Sequence, residues 1–407
     1  MLNDYNRMII FLATICYNMI ILYFALIAGA SFLLVQTFLF VFNLRHFPSI
    51  ETDFLQSSTM VSVLIPARNE QEVIRRCVES VIQQKHQIFE ILILDDHSTD
   101  KTGHILEEII TQYPGVRIRR IIGKDKPPQW IGKNWACHQL SEHARGDIFV
   151  FIDADTWMRP TFLNSMLTRF HEFNLDALTV WPQQELGTFW ERIVVPQMYY
   201  VIYTLLPIKY TYMDPMWLPV KLRSVFRGTF AAACGQCIAI KKKAYENFGG
   251  HVSVFDQVVE DVHIAKKLRK NNASFRMFHG YEQFICRMYT SESEIKQGFR
   301  KNFLAGFNYN IPFFIFSWLL HLFAYVLPFI SLIIGAIIVN YTLITVSIFM
   351  LVIPVVIRIR IDSLNKWRYH YSFAHLLGVL WFQRLAFIVI WDKITGKKIV
   401  WKDRTVA

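Results

Sequence analysis

Between Arg7 and Arg45 the chain carries no charged side chain. A helix needs roughly 20 apolar residues to cross a bilayer. Residues 8–44 are long for one span and too tight for two, so they read as one tilted transmembrane helix around 15–40. A secretory signal peptide would instead have an apolar stretch of only ~7–15 residues ending at a small-residue cleavage site. A second apolar block, 311–357, has room for two passes with Asn340 and Tyr341 at the turn. Arg300 and Lys301 precede it, and Arg358, Arg360, Lys366 and Arg368 follow it. Because Lys and Arg gather on the cytoplasmic side of membrane segments, the block reads as a hairpin with both ends in the cytoplasm. Residues 371–391 are also apolar but contain His375, Gln383 and Arg384. A crossing there would place the basic tail of Lys393, Lys397, Lys398, Lys402 and Arg404 outside, so an interfacial or re-entrant segment is expected.

Composition then decides what lies between these blocks. With 53% hydrophobic residues, disorder and collagen-like repeats are excluded. The 43 Lys and Arg against 32 Asp and Glu leave a net charge of +11. Much of that excess flanks the apolar blocks, where it suits anionic lipid head groups. No run of basic residues interleaved with aromatics offers a stacking surface for bases, so nucleic acid is not an expected partner. Of six Cys, only Cys234 and Cys237 share a CxxC spacing. A zinc site would want a second pair or nearby His, so these read as small packing residues in a reduced cytoplasmic domain.

Residues 51–310 hold nearly all the acidic side chains and alternate short apolar runs with helical patterns. Strands are expected at 61–65, 89–94, 116–122 and 148–152, with helices near 71–84, 101–112 and 133–144. This rhythm predicts an α/β domain with an open, mostly parallel sheet. Ligands of such sheets bind outside the carboxyl ends of the strands. Asp95-Asp96 and Asp153-Ala154-Asp155 both close predicted strands, so they should face one crevice. Two carboxylates one residue apart suit a hard divalent cation, Mg²⁺ or Mn²⁺, that keeps water and substrate phosphates in its shell. A solvated turn would explain Asp153-x-Asp155 equally well on its own; the second acidic pair at another strand end favours the metal. Glu260-Asp261 opens a predicted helix over 262–270. Acids stabilise a helix N-terminus whatever else they do, but the preceding Gly249-Gly250 loop could carry the pair into the crevice. No P-loop or dinucleotide-binding glycine pattern follows the first strand.

SVLIPARNE (62–70), ILILDDHSTDKT (91–102), WIGKNWAC (130–137), FIDADT (151–156), GQCIAIKKKAYENFGG (235–250) and VEDVHIAKKL (259–268) occur in this order. Together they resemble family 2 glycosyltransferases over nearly the whole of 51–310. The membrane layout resembles the lipid-glycosylating branch of that family, whose acceptors include carotenoid acids, hopanoids and ceramides. The resemblance implies a GT-A fold, a nucleotide-sugar donor and inversion at the anomeric carbon. The hydropathy pattern divides the chain into an N-terminal anchor over 1–50, the catalytic domain over 51–310, and a membrane hairpin, embedded segment and basic tail over 311–407; an apolar-aromatic insert at about 189–230 reads as interfacial, with a buried helix pair as the other reading.

The roles the resemblance implies are carried by residues at matching positions. Pro66, Ala67, Asn69 and Glu70 match the donor loop, and Asp95 with Asp96 the acids that hold uracil and ribose. Asp153 and Asp155 match the metal-binding pair, and Lys133 the lysine of a GK segment, assigned to phosphate. Gly235, Gln236 and Cys237 match the acceptor-side segment, Asp261 the catalytic base with Glu260 beside it. Processive polysaccharide synthases of the family carry Q-x-x-R-W after this pair. Here Gln297 and Arg300 are kept and Lys301 replaces the Trp, which points to single-sugar transfer. The leading expectation is an inverting, metal-dependent transferase in the cell membrane, moving glucose from UDP-glucose onto a lipid, first a carotenoid acid. The other readings are a processive polysaccharide synthase and a catalytically silent membrane scaffold. Nothing in the residues distinguishes glucose from galactose or N-acetylglucosamine.

Overall fold

A computed structural model describes residues 2–53, 57–86, 88–397, 400–401 and 404–405. The chain divides into two compact units, one of 42–191, 206–305 and 398–407, the other of 1–41, 192–205 and 306–397.

The first unit is built on strands β1 (Val61–Ala67), β2 (Glu90–Asp95), β3 (Ile118–Ile122), β4 (Ile148–Ile152), β5 (Thr156–Met158), β6 (Ala177–Trp181), β7 (Gln183–Gln184), β8 (Cys237–Lys241), β9 (Phe275–His279) and β10 (Phe284–Cys286). Seven form one sheet in the order β3-β2-β1-β4-β8-β6-β9. β1 and β4 are mostly apolar, and every residue but Pro66 is buried, because helices cover both faces, as parallel strands require. All neighbours run parallel except β8, which is antiparallel to both β4 and β6. One face packs Ile65, Val78, Leu106, Val150 and Leu178 into a core; the other packs Leu64, Leu92, Phe149, Ile240 and Leu268. A smaller sheet, β5-β10-β7, pairs Cys286 with Thr156 on one side and Gln184 on the other.

The expected strands and helices are present, with edges moved by a few residues. β1 runs through Pro66 to Ala67, because the missing amide hydrogen of a proline near a strand end removes little. The third strand starts at Ile118, since Val116 closes a turn onto Tyr113.

The second unit is helical. Among the described residues, four stretches are long and apolar enough to cross a membrane: Tyr17–Leu44, Ile311–Ile337, Tyr341–Leu364 and Tyr369–Thr395. The first lies in one continuous helix, Leu2–Leu44, and Asn340 turns the second into the third by capping Leu343 through its side chain (3.0 Å). The segment 371–391, expected as interfacial or re-entrant, lies within Tyr369–Thr395. The stretch is helical through its whole length and as long as the others, and His375 is buried rather than presented to an interface. Of the basic tail, Lys398 and Lys402 lie outside the described residues. Ile311–Ile337 contains a π-helical turn at Leu322–Val326, ahead of Pro328. There Gly29 meets the backbone: a Cβ on it would stand 2.3 Å from the Phe323 carbonyl oxygen. Close backbone approach at small residues is how helices associate where no hydrophobic force separates protein from solvent.

The apolar-aromatic stretch expected as one interfacial insert at 189–230 is two things. Phe189–Leu205 is a single helix opened by a capping box of Thr188 and Glu191. Its residues 192–205 belong with the apolar helices, and Ile193, Val194, Tyr199, Tyr200 and Tyr203 are buried. Most of the exposed apolar surface lies in the following segment, at Met213, Met216, Trp217, Val220 and Val225, with Phe189 and Val201 exposed on the helix itself.

Candidate functional site

β1, β2 and β4 are parallel neighbours, so their carboxyl ends lie on one edge of the sheet. Beyond β1, Asn69 has φ 54°, a left-handed conformation that Asn tolerates better than most residues. Its Oδ1 accepts from Thr99 N (2.8 Å), and Glu70 N donates to Thr102 Oγ1 (2.8 Å). The loop after β1 is thus fastened to the loop after β2. Asp96 N donates to Ala67 O (2.8 Å), and Arg68 donates to Asp96 O (2.7 Å). Both oxygens of Asp95 serve the protein itself: Oδ2 pairs with Arg120 (2.6 Å) and Oδ1 accepts from Ser98 N (3.0 Å). Asp96 is buried beside it.

Three distant pieces of chain meet at Lys133, on the helix Gly132–His143. Its ammonium lies 2.7 Å from Asp153 Oδ1 and 3.1 Å from Glu260 Oε1, and donates to Gly235 O (3.3 Å). Asp261 Oδ2 accepts from Gly235 N (2.8 Å), so both acids of the pair are tied to the turn before β8. That turn is rigid. Thr179 Oγ1 donates to the carbonyl of Cys234 or Cys237 (3.1 and 3.0 Å) and accepts from Cys234 N (2.9 Å). A Cβ on Gly235 would sit 3.2 Å from Lys133 Nζ and 3.3 Å from Glu260 Oε1, so only glycine fits without displacing them. Gln236 O accepts from Asp153 N (3.2 Å), joining the turn to the strand end across β4 and β8. Cys77, Cys137, Cys234, Cys237 and Cys286 are free and buried.

The electrostatics follow from burial and neighbours. Burial alone would lower the pKa of Lys133, but Asp153 and Glu260 outweigh it and hold the ammonium charged well above its usual range. Burial opposes ionisation of Glu260, yet Lys133 brings its carboxyl below the usual value, with help from Lys301. Asp261 goes the other way: burial, then the charge of Glu260, pushes it up to about 7. Two adjacent carboxyls separated in this manner are a recurring acid–base arrangement, and a group titrating near neutrality is suited to take a proton in a transition state. His251, with its ring edge on Phe151 and Nδ1 at 2.8 Å from Tyr245 Oη, is pushed down to about 3 by burial and is neutral.

Among the described residues no group of three His, Cys, Asp or Glu could cage a metal. The donor set here is two carboxylates, Asp153 and Asp155, half-buried at a strand end. That fits Mg²⁺ or Mn²⁺, which take one or two carboxylates and complete their shells with water and phosphate.

Of the acceptor-side residues, Gln297 is exposed, and its amide donates to Ser293 Oγ (3.3 Å) within its own helix, Glu292–Phe303. No contact places it at the carboxylates. The same helix brings Lys301 within electrostatic reach of Glu260. Arg120, Thr179 and Cys286 carry no sequence signal: each acts through a partner at least 25 residues away.

Residues 62–249 match the family described as Glycosyl transferase family 2. The chain is 23% identical over 275 residues to a 4,4'-diaponeurosporenoate glycosyltransferase of Staphylococcus haemolyticus, covering 65% of this chain and 67% of that protein. It is 23% identical over 270 residues to one of Staphylococcus aureus, covering 65% and 66%. A mannosyltransferase from Pyrobaculum calidifontis, solved with GDP-Man and Mn²⁺, superposes over 93% of this chain and 99% of its own with a TM-score of 0.55 at 14% identity, which speaks to fold alone. Residues 62–249 therefore match family 2 glycosyltransferases on a GT-A fold, in a chain that, among the described residues, also carries four helices long and apolar enough to cross a membrane.

Proposed function

We propose that the chain transfers one sugar, glucose from UDP-glucose, with inversion onto a membrane lipid, and that the first acceptor is a carotenoid acid. The observation that carries this is the convergence on Lys133: one cation holds Asp153 at 2.7 Å and Glu260 at 3.1 Å, with Asp261 bonded to the same turn. The named Staphylococcus relatives support the acceptor class.

In this reading the donor loop of Pro66, Ala67, Asn69 and Glu70 and the acid Asp96 bind the nucleoside. Asp153 and Asp155 hold the divalent cation, which when bound neutralises charge gathering on the leaving diphosphate. Lys133 adds a preplaced positive charge on the same side. The acceptor oxygen bonds to the anomeric carbon as the bond from that carbon to the diphosphate oxygen breaks, and an alcohol's proton passes to Asp261. A carboxylic acid acceptor is already ionised near neutral pH, so Asp261 then orients rather than deprotonates. Gly235, Gln236 and Cys237 form the acceptor side, with Gln297 and Arg300 on the neighbouring helix. The catalytic domain, 51–310, faces the cytoplasm, and exposed Met216, Trp217, Val220 and Val225, with Lys221 and Arg223 among them, rest on the lipid surface.

The test is mass spectrometry of lipids from cells with and without the chain. One hexose added to a carotenoid acid is expected; an unchanged lipid profile contradicts the proposal.

A further inference from the structure

Beneath Asp155 lies a line of buried polar side chains, of which only Gln236 has been given a role above. Cys286, on β10, is fully buried, and its side chain hydrogen-bonds the Asp155 carboxylate. Gln236 Nε2 lies 2.7 Å from Cys286 Sγ, and Gln184 Nε2 lies 3.2 Å from Gln236 Oε1. Cys234 Sγ also points its hydrogen at Gln236 Oε1 (3.5 Å). Gln184, Gln236, Cys234 and Cys286 are all at most 5% exposed.

The directions are forced by chemistry. An ionised carboxylate only accepts, so the thiol must donate to Asp155. Having used its one hydrogen, Cys286 sulfur can only accept, so the Gln236 amide nitrogen donates to it. The Gln236 carbonyl then accepts from Gln184 and Cys234. Every hydrogen in the chain therefore points toward Asp155, and bonds aligned in one sense polarise one another. Strand pairing holds the order: Cys286 is in register with Thr156 on β5, next to Asp155, and with Gln184 on β7.

We infer that Cys286 is a positioning residue, fixing the Asp155 carboxylate for the divalent cation through a one-directional hydrogen-bond chain from Gln184 and Gln236. Partners behind a ligating carboxylate orient it, and their loss typically weakens metal binding by about 10–100-fold. The inference rests on the reading of Asp155 as a metal carboxylate, and the two fail separately.

The experiment titrates Mn²⁺ into the full-length chain in lipid nanodiscs with UDP present, following free Mn²⁺ by electron paramagnetic resonance. Cys286→Ala is expected to weaken Mn²⁺ at least tenfold. Cys286→Ser, which keeps a donor, should stay close to the parent. UDP affinity measured without metal should be the same in all three. Parent-like Mn²⁺ affinity in Cys286→Ala overturns the inference. So does equal weakening in Ala and Ser, or a fall in metal-free UDP affinity in Cys286→Ala, since either marks a packing role. Asp155→Asn is the control: should it bind Mn²⁺ as the parent does, the metal reading itself falls, whatever Cys286 does.

Discussion

Both units bury charge, and they balance it differently. At the sheet edge, Lys133 stands among Asp153, Glu260 and Asp261, with Asp155 close by, so carboxylates outnumber the cation. In the helical unit, Arg358 and Asp362 pair at 2.7 Å with both side chains 1% exposed. There Ser372 Oγ donates to the other Asp362 oxygen (2.7 Å), and Arg358 Nη2 donates to Arg192 O (2.9 Å). Tyr325 Oη donates to Gln36 Oε1 (2.6 Å) in the same interior. The buried Arg358–Asp362 pair is matched one to one, with Ser372 and the Arg192 backbone carbonyl completing its hydrogen bonds from other segments. The unbalanced cluster carries an excess of carboxylates that a divalent cation would offset. Matched buried charge holds a fold together; unmatched buried charge recruits.

Substitutions should sharpen this contrast. Asp261→Asn leaves the Gly235 amide an acceptor but removes the base. It should cut transfer to an alcohol by about 10²–10⁴-fold and transfer to a matched carboxylic acid much less. Parallel kinetics on the two acceptors decide this, and equal losses would refute the assigned division between deprotonating and orienting.

Arg358→Met should destabilise the chain by about 3–5 kcal/mol, the usual cost of stranding one partner of a buried pair. Adding Asp362→Leu should recover much of the loss, because the stranded charge is gone. Thermal unfolding in nanodiscs reads both. A single variant as stable as the parent would mean that the pair is not buried in the folded chain.

A smaller effect is a shift along the pH axis. Asp261 must be deprotonated to act on an alcohol, so kcat/KM should rise with pH through about 7 and level above it. Glu260→Gln removes the neighbouring charge that raises Asp261, so the rise should move to lower pH. Movement to higher pH, or none, would place the base elsewhere.

The smallest effect belongs to a surface pair. Arg75 contacts Glu79 and Glu108 while more than a third exposed. Arg75→Ala should therefore change stability by less than about 1 kcal/mol, in contrast to Arg358→Met under the same assay.

How much of this was legible in the residues follows from the range of each interaction. β1, β2 and β4 could be read because apolar runs ending in Asp95-Asp96 and Asp153-x-Asp155 are local patterns. Glu260 and Asp261 opening a helix is local too. The reversal of β8 was not legible, since strand direction is set by where the long connection from β6 returns the chain. Lys133 was expected near phosphate, but its place between Asp153 and Glu260 depends on residues 20 and 127 positions away. Residues 192–205 are aromatic and apolar whether they lie at an interface or inside a bundle. Only packing, with Tyr200 at 4.6 Å from the His375 ring, separates the two. Asp95 reads from its place at a strand end as a nucleotide-binding acid, while its pairing with Arg120, 25 residues on, has no local pattern to announce it.

The most direct measurement incubates the full-length chain in nanodiscs with UDP-glucose, a divalent cation and a carotenoid acid, and weighs the lipid products. The account predicts a product carrying a single hexose, lost on chelation and lost in Asp155→Asn. A ladder of longer products, or no hexose on any lipid while the parent chain binds UDP and Mn²⁺, would contradict it.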